Sequence, residues 1–320
     1  MLSEFDLIKQ YFTRPRPGRA VLGVGDDCAL LAPTPGMQLA VSTDMLVEDR
    51  HFFAGADARK LGHKSLAVNL SDLAAMGARP LAFTLSLALP EAKPDWLAGF
   101  SEGLFLLADA HGCELVGGDT TRGPLNISIT VMGEIEPGHA LRRDAARAGD
   151  DIWISGTLGD ARLALATYWN EHPLDVTDFE QAAVRLHTPA PRVALGRALA
   201  HGRLAHAALD ISDGLVGDLW HILAASRVGA TLDADALPAG PVLARQDLAL
   251  RRRFTLAGGD DYELCFTAPQ PQREAILAAG RASGTAVARV GRIEAEPGLR
   301  IVDGNGAPLE LAVRGWDHFR

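Results

Sequence analysis

Hydrophobic positions along this chain follow two rhythms, and the rhythm changes at short runs of glycine, proline and aspartate. Ser3, with Asp6 three residues on and apolar Phe5, Ile8 and Phe12 following, predicts a capped first helix that stops at the breaker run Arg14 to Gly18. A short strand is expected before Gly23-Val24-Gly25-Asp26-Asp27, and alternation over Gln38 to Thr43 predicts a strand ending at Asp44. Leu61 to Met76 has apolar residues three and four apart with Gly77 beyond them, the pattern of a helix and its stop. Leu81 to Leu89 reads as a strand and Pro94 to Ala110 as a helix closed near Gly112. A short strand, a turn at Gly117-Gly118-Asp119 and strand-like alternation from Asn126 to Ile135 complete the first half.

The pattern restarts at Asp151. A strand is expected over Asp151 to Ser155, a helix from about Asp160, and helices around Arg192 to Ala200 and Asp213 to Ser226. A strand at Tyr262 to Thr267, a helix from Gln270 and strands near Val287 to Ile293 and Leu309 to Val313 follow. Between the halves lies Pro137 to Asp150, rich in Gly, Ala, Arg and Asp. Two domains of α/β or α+β type are therefore expected, over 1–136 and 137–320.

Composition narrows the function classes. The 320 residues are 48% hydrophobic and 22% charged, enough apolar material for two cores. Lys and Arg number 31 against 40 Asp and Glu, a net charge of -9, which disfavours a sequence-independent grip on nucleic acid or an anionic membrane. No apolar run approaches the ~18–20 residues of a membrane helix, and MLSEFDLIKQ lacks the basic and then apolar regions of a signal peptide, so a cytoplasmic protein is expected. Cys28, Cys113 and Cys265 are far apart and form no Cys-x-x-Cys pair. They read as buried small apolar residues, not as a zinc site or a disulfide framework.

The aspartates carry the chemistry. Asp26 and Asp27 follow Gly-Val-Gly, Asp44 follows Ser42-Thr43, Asp72 sits in Asn69-Leu70-Ser71-Asp72, Asp119 follows a glycine pair, and Asp210 and Asp213 bracket Ile211-Ser212. Gly258-Gly259-Asp260-Asp261 makes one more such corner. A lone Asp after Gly usually bonds its own turn or caps a helix, and Asp213 before Gly214 suits a cap as well as a functional role. Spacing alone does not say which of Asp26 and Asp27 points inward. Asp72 lies inside an apolar helix and needs a partner there, and Lys64 and Asn69 can share its side of that helix. Acids gathered without basic partners call for cations, and Mg²⁺ is the hard, oxygen-bound ion that is commonly shared with substrate phosphates. Such an ion would reverse the sign of the site, which is how an acidic protein handles an anionic substrate. Walker, protein-kinase and G-x-G-x-x-G phosphate motifs are absent, and His201 and His206, five apart, make no helical metal pair.

Six runs together have a familiar order. Gly23-Val24-Gly25-Asp26-Asp27-Cys28-Ala29, Ser42-Thr43-Asp44, Val68 to Ala78, Gly117-Gly118-Asp119-Thr120-Thr121-Arg122-Gly123, Asp210-Ile211-Ser212-Asp213-Gly214-Leu215 and Gly258 to Leu264 resemble the thiamine-monophosphate kinase family. The likeness runs from Glu4 to Gly315-Trp316-Asp317-His318-Phe319. It implies a PurM-like two-domain α/β architecture, in the superfamily of aminoimidazole ribonucleotide synthetase and selenophosphate synthetase, that dimerises through its N-terminal domain. It further implies a transferase that uses ATP and several Mg²⁺ to phosphorylate thiamine monophosphate directly. Carried over residue by residue, it makes Asp27, Ser42, Thr43, Asp44, Asp72, Asp119, Asp210 and Asp213 the metal set, with Asp44, Asp72, Asp119 and Asp210 central to catalysis. Gly118, Arg143 and Ser212 become the ATP contacts, and His51, Asp260 and Trp316 the contacts to the thiamine substrate. His51 as a surface histidine and Trp316 as a core aromatic are the plain alternatives. One departure is Asp260, where the family often has Glu, a change that keeps the charge and shortens the reach. A nucleotide sensor without turnover, or a superfamily enzyme with another acceptor, remains the alternative reading. The second is disfavoured because no reactive Cys lies near the N-terminus and the chain ends His318-Phe319-Arg320 without a cysteine.

Overall fold

The computed structural model describes residues 3–14, 20–25 and 27–310. In chain order the elements are α1 (Glu4–Leu7) with a wider turn Ile8–Phe12, β1 (Ala20–Leu22), β2 (Leu30–Leu31), β3 (Gln38–Val47), α2 (Ala58–Met76), β4 (Arg79–Leu89), α3 (Pro94–His111), β5 (Glu114–Arg122) and β6 (Asn126–Ile135). Then come β7 (Asp151–Ser155), α4 (Asp160–Tyr168), α5 (Val176–His187), α6 (Val193–His201), β8 (Ala207–Ile211), α7 (Leu215–Ser226), β9 (Gly229–Asp233), α8 (Leu248–Ala257), β10 (Glu263–Ala268), α9 (Arg273–Ala282), β11 (Val287–Glu294) and β12 (Gly298–Val302). The first helix opens as its sequence predicts: Ser3 Oγ donates to Asp6 Oδ2 at 2.6 Å while the Asp6 amide donates to Ser3 Oγ at 3.2 Å.

Two compact units divide the chain. The first comprises the residues up to Leu73 and Ala78–Pro137, the second Ala74–Gly77 and the residues from Gly138 on. In the first, a four-stranded sheet has the order β3-β6-β4-β5, antiparallel except for the parallel pair β4 and β5. Ile127, Ile129 and Val131 on β6 and Leu85 and Leu87 on β4 are buried at alternate positions, which fixes the core face of the sheet. Leu66, Leu70 and Leu73 of α2 are buried too, and each such side chain contributes about 1.5–3 kcal/mol through its burial. The helices α2 and α3 approach through glycine. A Cβ on Gly62 would stand 2.0 Å from the Phe100 carbonyl oxygen, and one on Gly103 1.8 Å from that of Arg59.

The second unit is built on a six-stranded sheet, β12-β9-β11-β7-β10-β8, parallel only between β12 and β9. Every residue of β7, β8 and β10 is buried, so these strands are covered on both faces, β8 included although it stands at the edge of the sheet. Ile152, Ile154, Leu209, Ile211 and Cys265 pack with Leu215, Leu219, Ile222 and Leu223 of α7. A second cluster joins Ala161 and Ala164 of α4, Ala182 and Leu186 of α5, and Phe254 of α8. No helix among the described residues is long and apolar enough to cross a membrane.

Several expectations need correction. Strand β3 does not end at Asp44 but runs on to Val47, because its ladder with β6 continues to Asn126. Gly117-Gly118-Asp119 is not a turn; it lies inside β5, where the register against β4 shifts by one residue between Phe83 and Thr84. Gly118 adopts φ +147° there, and a Cβ on it would fall 1.8 Å from the Leu85 carbonyl oxygen. Helix α7 begins at Leu215 with Gly214 as its cap, so Asp213 does not cap it. Cys28 is exposed, and only Cys113 and Cys265 are buried small residues. Leu309 and Glu310 are not strand, and 311–313 lie outside the described residues. Helices α5 and α8 and strands β2, β8, β9 and β12 have no counterpart among the expected elements, although Phe179, Ala182, Ala183 and Leu186 carry a helical spacing behind the Asp175 cap.

Candidate active site

Ser42 and Asp44 stand two apart on β3 and so share one side of the strand, the side on which α2 lies. Ser42 Oγ donates to Asp72 Oδ2 at 2.5 Å, and the Asp44 amide donates to Asn69 Oδ1 at 3.1 Å. Asn69 in turn donates through Nδ2 to the Ser65 carbonyl at 2.9 Å, so its orientation is fixed by its own helix. Asp72 thus has the partner its place in an apolar helix demands, and Asn69 shares its side of α2. Burial, and after it the charge of Asp72, push the Asp44 carboxyl up to about 6. Thr43, one residue off, shares its hydroxyl between the Ile129 carbonyl and Thr130 Oγ1 on the other side of the strand. The groups that converge here are hard oxygens, two of them mutually repelling carboxylates. That donor set fits Mg²⁺ better than any softer ion.

Asp119 is not beside them. It sits on β5, whereas Asp44 sits on β3, and these strands are the two outer strands of the sheet. The ladder runs Asp44 to Ile129, Ile129 to Leu85 and Leu85 to Gly118, three strand spacings or about 14 Å along the sheet. Asp27 is exposed in the segment between β1 and β2, and Asp26 lies outside the described residues. His51 follows β3 in a tight turn in which its Nδ1 accepts the Val47 amide at 3.0 Å, leaving the ring proton to Nε2.

The second unit gathers its own acids. Asp210 is buried on β8 and paired in register with Leu264 of β10. After it the chain turns through Ser212, Asp213 and Gly214, and the amides of all three donate to Asp218 Oδ2 at 3.0, 3.1 and 3.1 Å. Asp218 is therefore the residue that shapes the Asp210–Asp213 turn, a role to which no sequence motif pointed. Burial and then Asp213 push its carboxyl up to about 7, while the three amides pull the other way. Asp260 joins the same turn, its amide donating to the Ser212 carbonyl at 2.9 Å. Arg143 lies elsewhere: its carbonyl accepts from Ser226 Oγ at the far end of α7, its side chain exposed. About 18 Å of helix separate Ser226 from the Ser212 turn. Trp316 lies outside the described residues.

Below this turn is a buried charge network that motif reading did not reveal. Glu263 is fully buried and receives Ser155 Oγ on Oε2 at 2.6 Å, Arg192 Nε on Oε2 at 2.6 Å and Arg185 Nη2 on Oε1 at 2.6 Å, with Arg192 Nη2 closing a second contact to Oε1. One carboxylate between two guanidinium groups, each bond charge-assisted, is a rigid junction between β7, β10, α5 and the start of α6.

Known proteins match the chain along almost its whole length. The N-terminal domain model of AIR synthase related proteins matches residues 25–135 and the C-terminal domain model matches 147–304. The thiamine-monophosphate kinase of Salmonella typhimurium is 44% identical over 99% of this chain and 98% of its own length, and that of Bacillus subtilis 31% identical over the full length of both. Among solved structures, thiamine-monophosphate kinase from Stenotrophomonas maltophilia superposes with a TM-score of 0.84 at 46% identity over 95% of each chain. AaThiL complexed with AMPPCP and TMP gives 0.77 at 29% identity, covering 90% of this chain and 89% of its own. The hydrogenase maturation protein HypE of E. coli gives 0.79 at 24% identity over 97% of this chain and 96% of its own, a likeness of fold alone. With both domain models matched and full-length identity of this order, the chain belongs to the thiamine-monophosphate kinase family.

Proposed function

We propose that the chain transfers the γ-phosphoryl group of ATP to thiamine monophosphate, giving thiamine diphosphate and ADP in one direct in-line step. The observation that carries this is its end-to-end likeness to thiamine-monophosphate kinases, among them AaThiL solved with an ATP analogue and TMP, in a chain with acidic corners at Asp44 and Asp72 and at the Asp210–Asp213 turn. Asp27, Ser42, Asp44, Asp72, Asp119, Asp210 and Asp213 would hold Mg²⁺, which supplies neutralisation of the phosphate charge, whereas the Thr43 hydroxyl faces the other side of β3 and leaves that residue only its main chain to offer. Gly118, Arg143 and Ser212 would bind ATP, and His51, Asp260 and Trp316 the thiamine substrate. Asn69 and Asp218 hold the two acidic corners in shape, and their bonds to backbone amides set where the carboxylates point. The acceptor is a phosphate monoester, largely ionised near neutrality because its second pKa is about 6, so no side chain is required as general base. Such a reaction, on ATP and a phosphorylated vitamin, belongs in the cytoplasm. An assay for ADP should show turnover only with thiamine monophosphate and a divalent cation together. ADP release without the acceptor would make the protein an ATPase.

The pH dependence of cation binding follows from Asp44. A cation must displace the proton that this carboxyl holds below about 6. Affinity for Mn²⁺, followed by its paramagnetic signal, should therefore be level above neutrality and fall by roughly tenfold per unit below that pH. In the cation-free protein the sign is opposite: a carboxyl raised on folding stabilises below its unfolded value, and that contribution is lost as pH rises through 6.

We further propose a homodimer that completes the site. Leu39, Val41 and Met45 are 51%, 62% and 54% exposed on the side of β3 opposite Asp44, a row of apolar side chains that suits a second copy. Asp119 on one edge of the sheet and Asp44 on the other are too far apart to share an ion within one chain, since each Mg²⁺–oxygen bond is about 2.1 Å. β3 is an edge strand, so we propose that the second copy reaches round that edge and that its own Asp119, not this chain's, completes the Asp44 site. Asp44→Asn and Asp119→Asn, each inactive alone, should then recover about a quarter of wild-type activity after mixed refolding, because half the dimers are mixed and one of their two sites is whole. Mixtures as inactive as their parents would place both acids in one chain's site.

A further inference from the structure

The segment between α8 and β10 alternates in burial: Asp260 and Tyr262 are half-buried, while Asp261 and Glu263 are buried. The two outward residues are both left-handed, with φ +64° at Asp260 and +49° at Tyr262, a conformation that Asp tolerates and Tyr rarely adopts. Something must hold them there. Backbone bonds sew the segment to the neighbouring turn, Asp260 N to Ser212 O at 2.9 Å and Tyr262 N to Ile211 O at 2.8 Å. Between them the Asp261 side chain turns inward, and its Oδ1 accepts the amide of Gly159, the cap of α4, at 2.8 Å. Its own carbonyl accepts Arg185 Nη2 at 2.8 Å. Asp261 Oδ2 is buried with no hydrogen-bond partner among the described residues, a setting that disfavours a charge on it.

We propose that Asp261 is a positioning residue for the acceptor end of the site: a buried carboxyl, anchored on the α4 cap, that keeps Asp260 and Tyr262 turned outward. This rests on the reading of Asp260 as a contact to thiamine monophosphate, and it separates the two adjacent acids of the Gly-Gly-Asp-Asp run by role. Burial raises the Asp261 carboxyl well above the usual range, in keeping with a neutral anchor. An amide is then an adequate substitute, since Asn keeps the oxygen that takes the Gly159 amide and adds no charge.

The test compares Asp261→Asn, Asp261→Ala and Asp260→Ala. Asp261→Asn should keep kcat and both KM values within about twofold of wild type, whereas Asp261→Ala should raise the KM for thiamine monophosphate by roughly 10–100-fold with that for ATP unchanged, as expected when a binding group is displaced by about an ångström. Amide exchange provides the second readout: Gly159, Asp260 and Tyr262 should be protected in wild type and Asp261→Asn and lose protection in Asp261→Ala. An Asp261→Asn variant as damaged as Asp260→Ala would overturn the proposal, by showing that the charge acts directly; so would an Asp261→Ala variant with unchanged acceptor KM and intact protection. Should Asp261→Ala not fold, the kinetics and exchange of Asp261→Asn decide alone. If Asp260→Ala leaves the acceptor KM unchanged, the acceptor reading of Asp260 fails, and the exchange data still judge the anchor.

Discussion

Replacing Asp44 by Asn is expected to lower turnover by on the order of 10²–10³-fold while leaving the fold intact. The change removes one negative charge and almost no volume from a corner whose backbone is already held by Asn69. It also relieves the repulsion with Asp72 that, together with burial, raises the Asp44 carboxyl. In the absence of divalent cations the variant should therefore melt at or above the wild-type temperature. Mg²⁺ with ATP should stabilise wild type, by about 2.7 kcal/mol at a hundred times the dissociation constant, and the variant much less. Lost activity with raised cation-free stability identifies a ligand. Lost activity with lost stability would make Asp44 a structural acid, and near-normal turnover would remove it from the site.

The second large effect is on stability and lies away from the phosphate chemistry. Glu263→Gln should destabilise the protein by about 3–5 kcal/mol, because it leaves the guanidinium groups of Arg185 and Arg192 largely buried without their counter-charge. Against a total of about 5–15 kcal/mol for a typical domain, that is a large fraction. Chemical denaturation at neutral pH would measure it as a lower midpoint at similar slope. Replacing all three partners by apolar residues should cost less than removing Glu263 alone, since no uncompensated charge remains. A loss below 1 kcal/mol for Glu263→Gln would mean that solvent or a rearranged neighbour satisfies both arginines.

These two residues mark what the sequence discloses and what it hides. The Asp44 corner was legible because its pattern is local: small and hydroxyl residues followed by an acid at a strand, repeated along the chain. Asp72 was legible for a related reason, an acid in an apolar helix that had to find a partner, and Ser42 supplies it. Glu263 was not, because its meaning depends on Arg185 and Arg192, 78 and 71 residues away, which come together only when α5 and α6 dock below β10. Asp119 misled in another way. Its glycine pair has the composition of a turn, but Gly118 serves a strand irregularity, and the non-sequential order β3-β6-β4-β5 sets Asp119 at the far edge from Asp44. Helix α8 was hidden by Arg251-Arg252-Arg253, which interrupts the apolar rhythm although Phe254, Thr255 and Leu256 are buried. The wide strokes, two mixed units each with its own sheet, followed from where the strand and helix rhythms alternate.

The account's central claim is the transfer of phosphate from ATP to thiamine monophosphate, and phosphorus NMR of the purified protein with both substrates and Mg²⁺ tests it most directly, run beside Asp44→Asn and a chelator control. Thiamine diphosphate and ADP should appear together, one for one, only with the wild-type protein and only with metal. ATP that persists unchanged, or ADP that accumulates with free phosphate and no thiamine diphosphate, would contradict it.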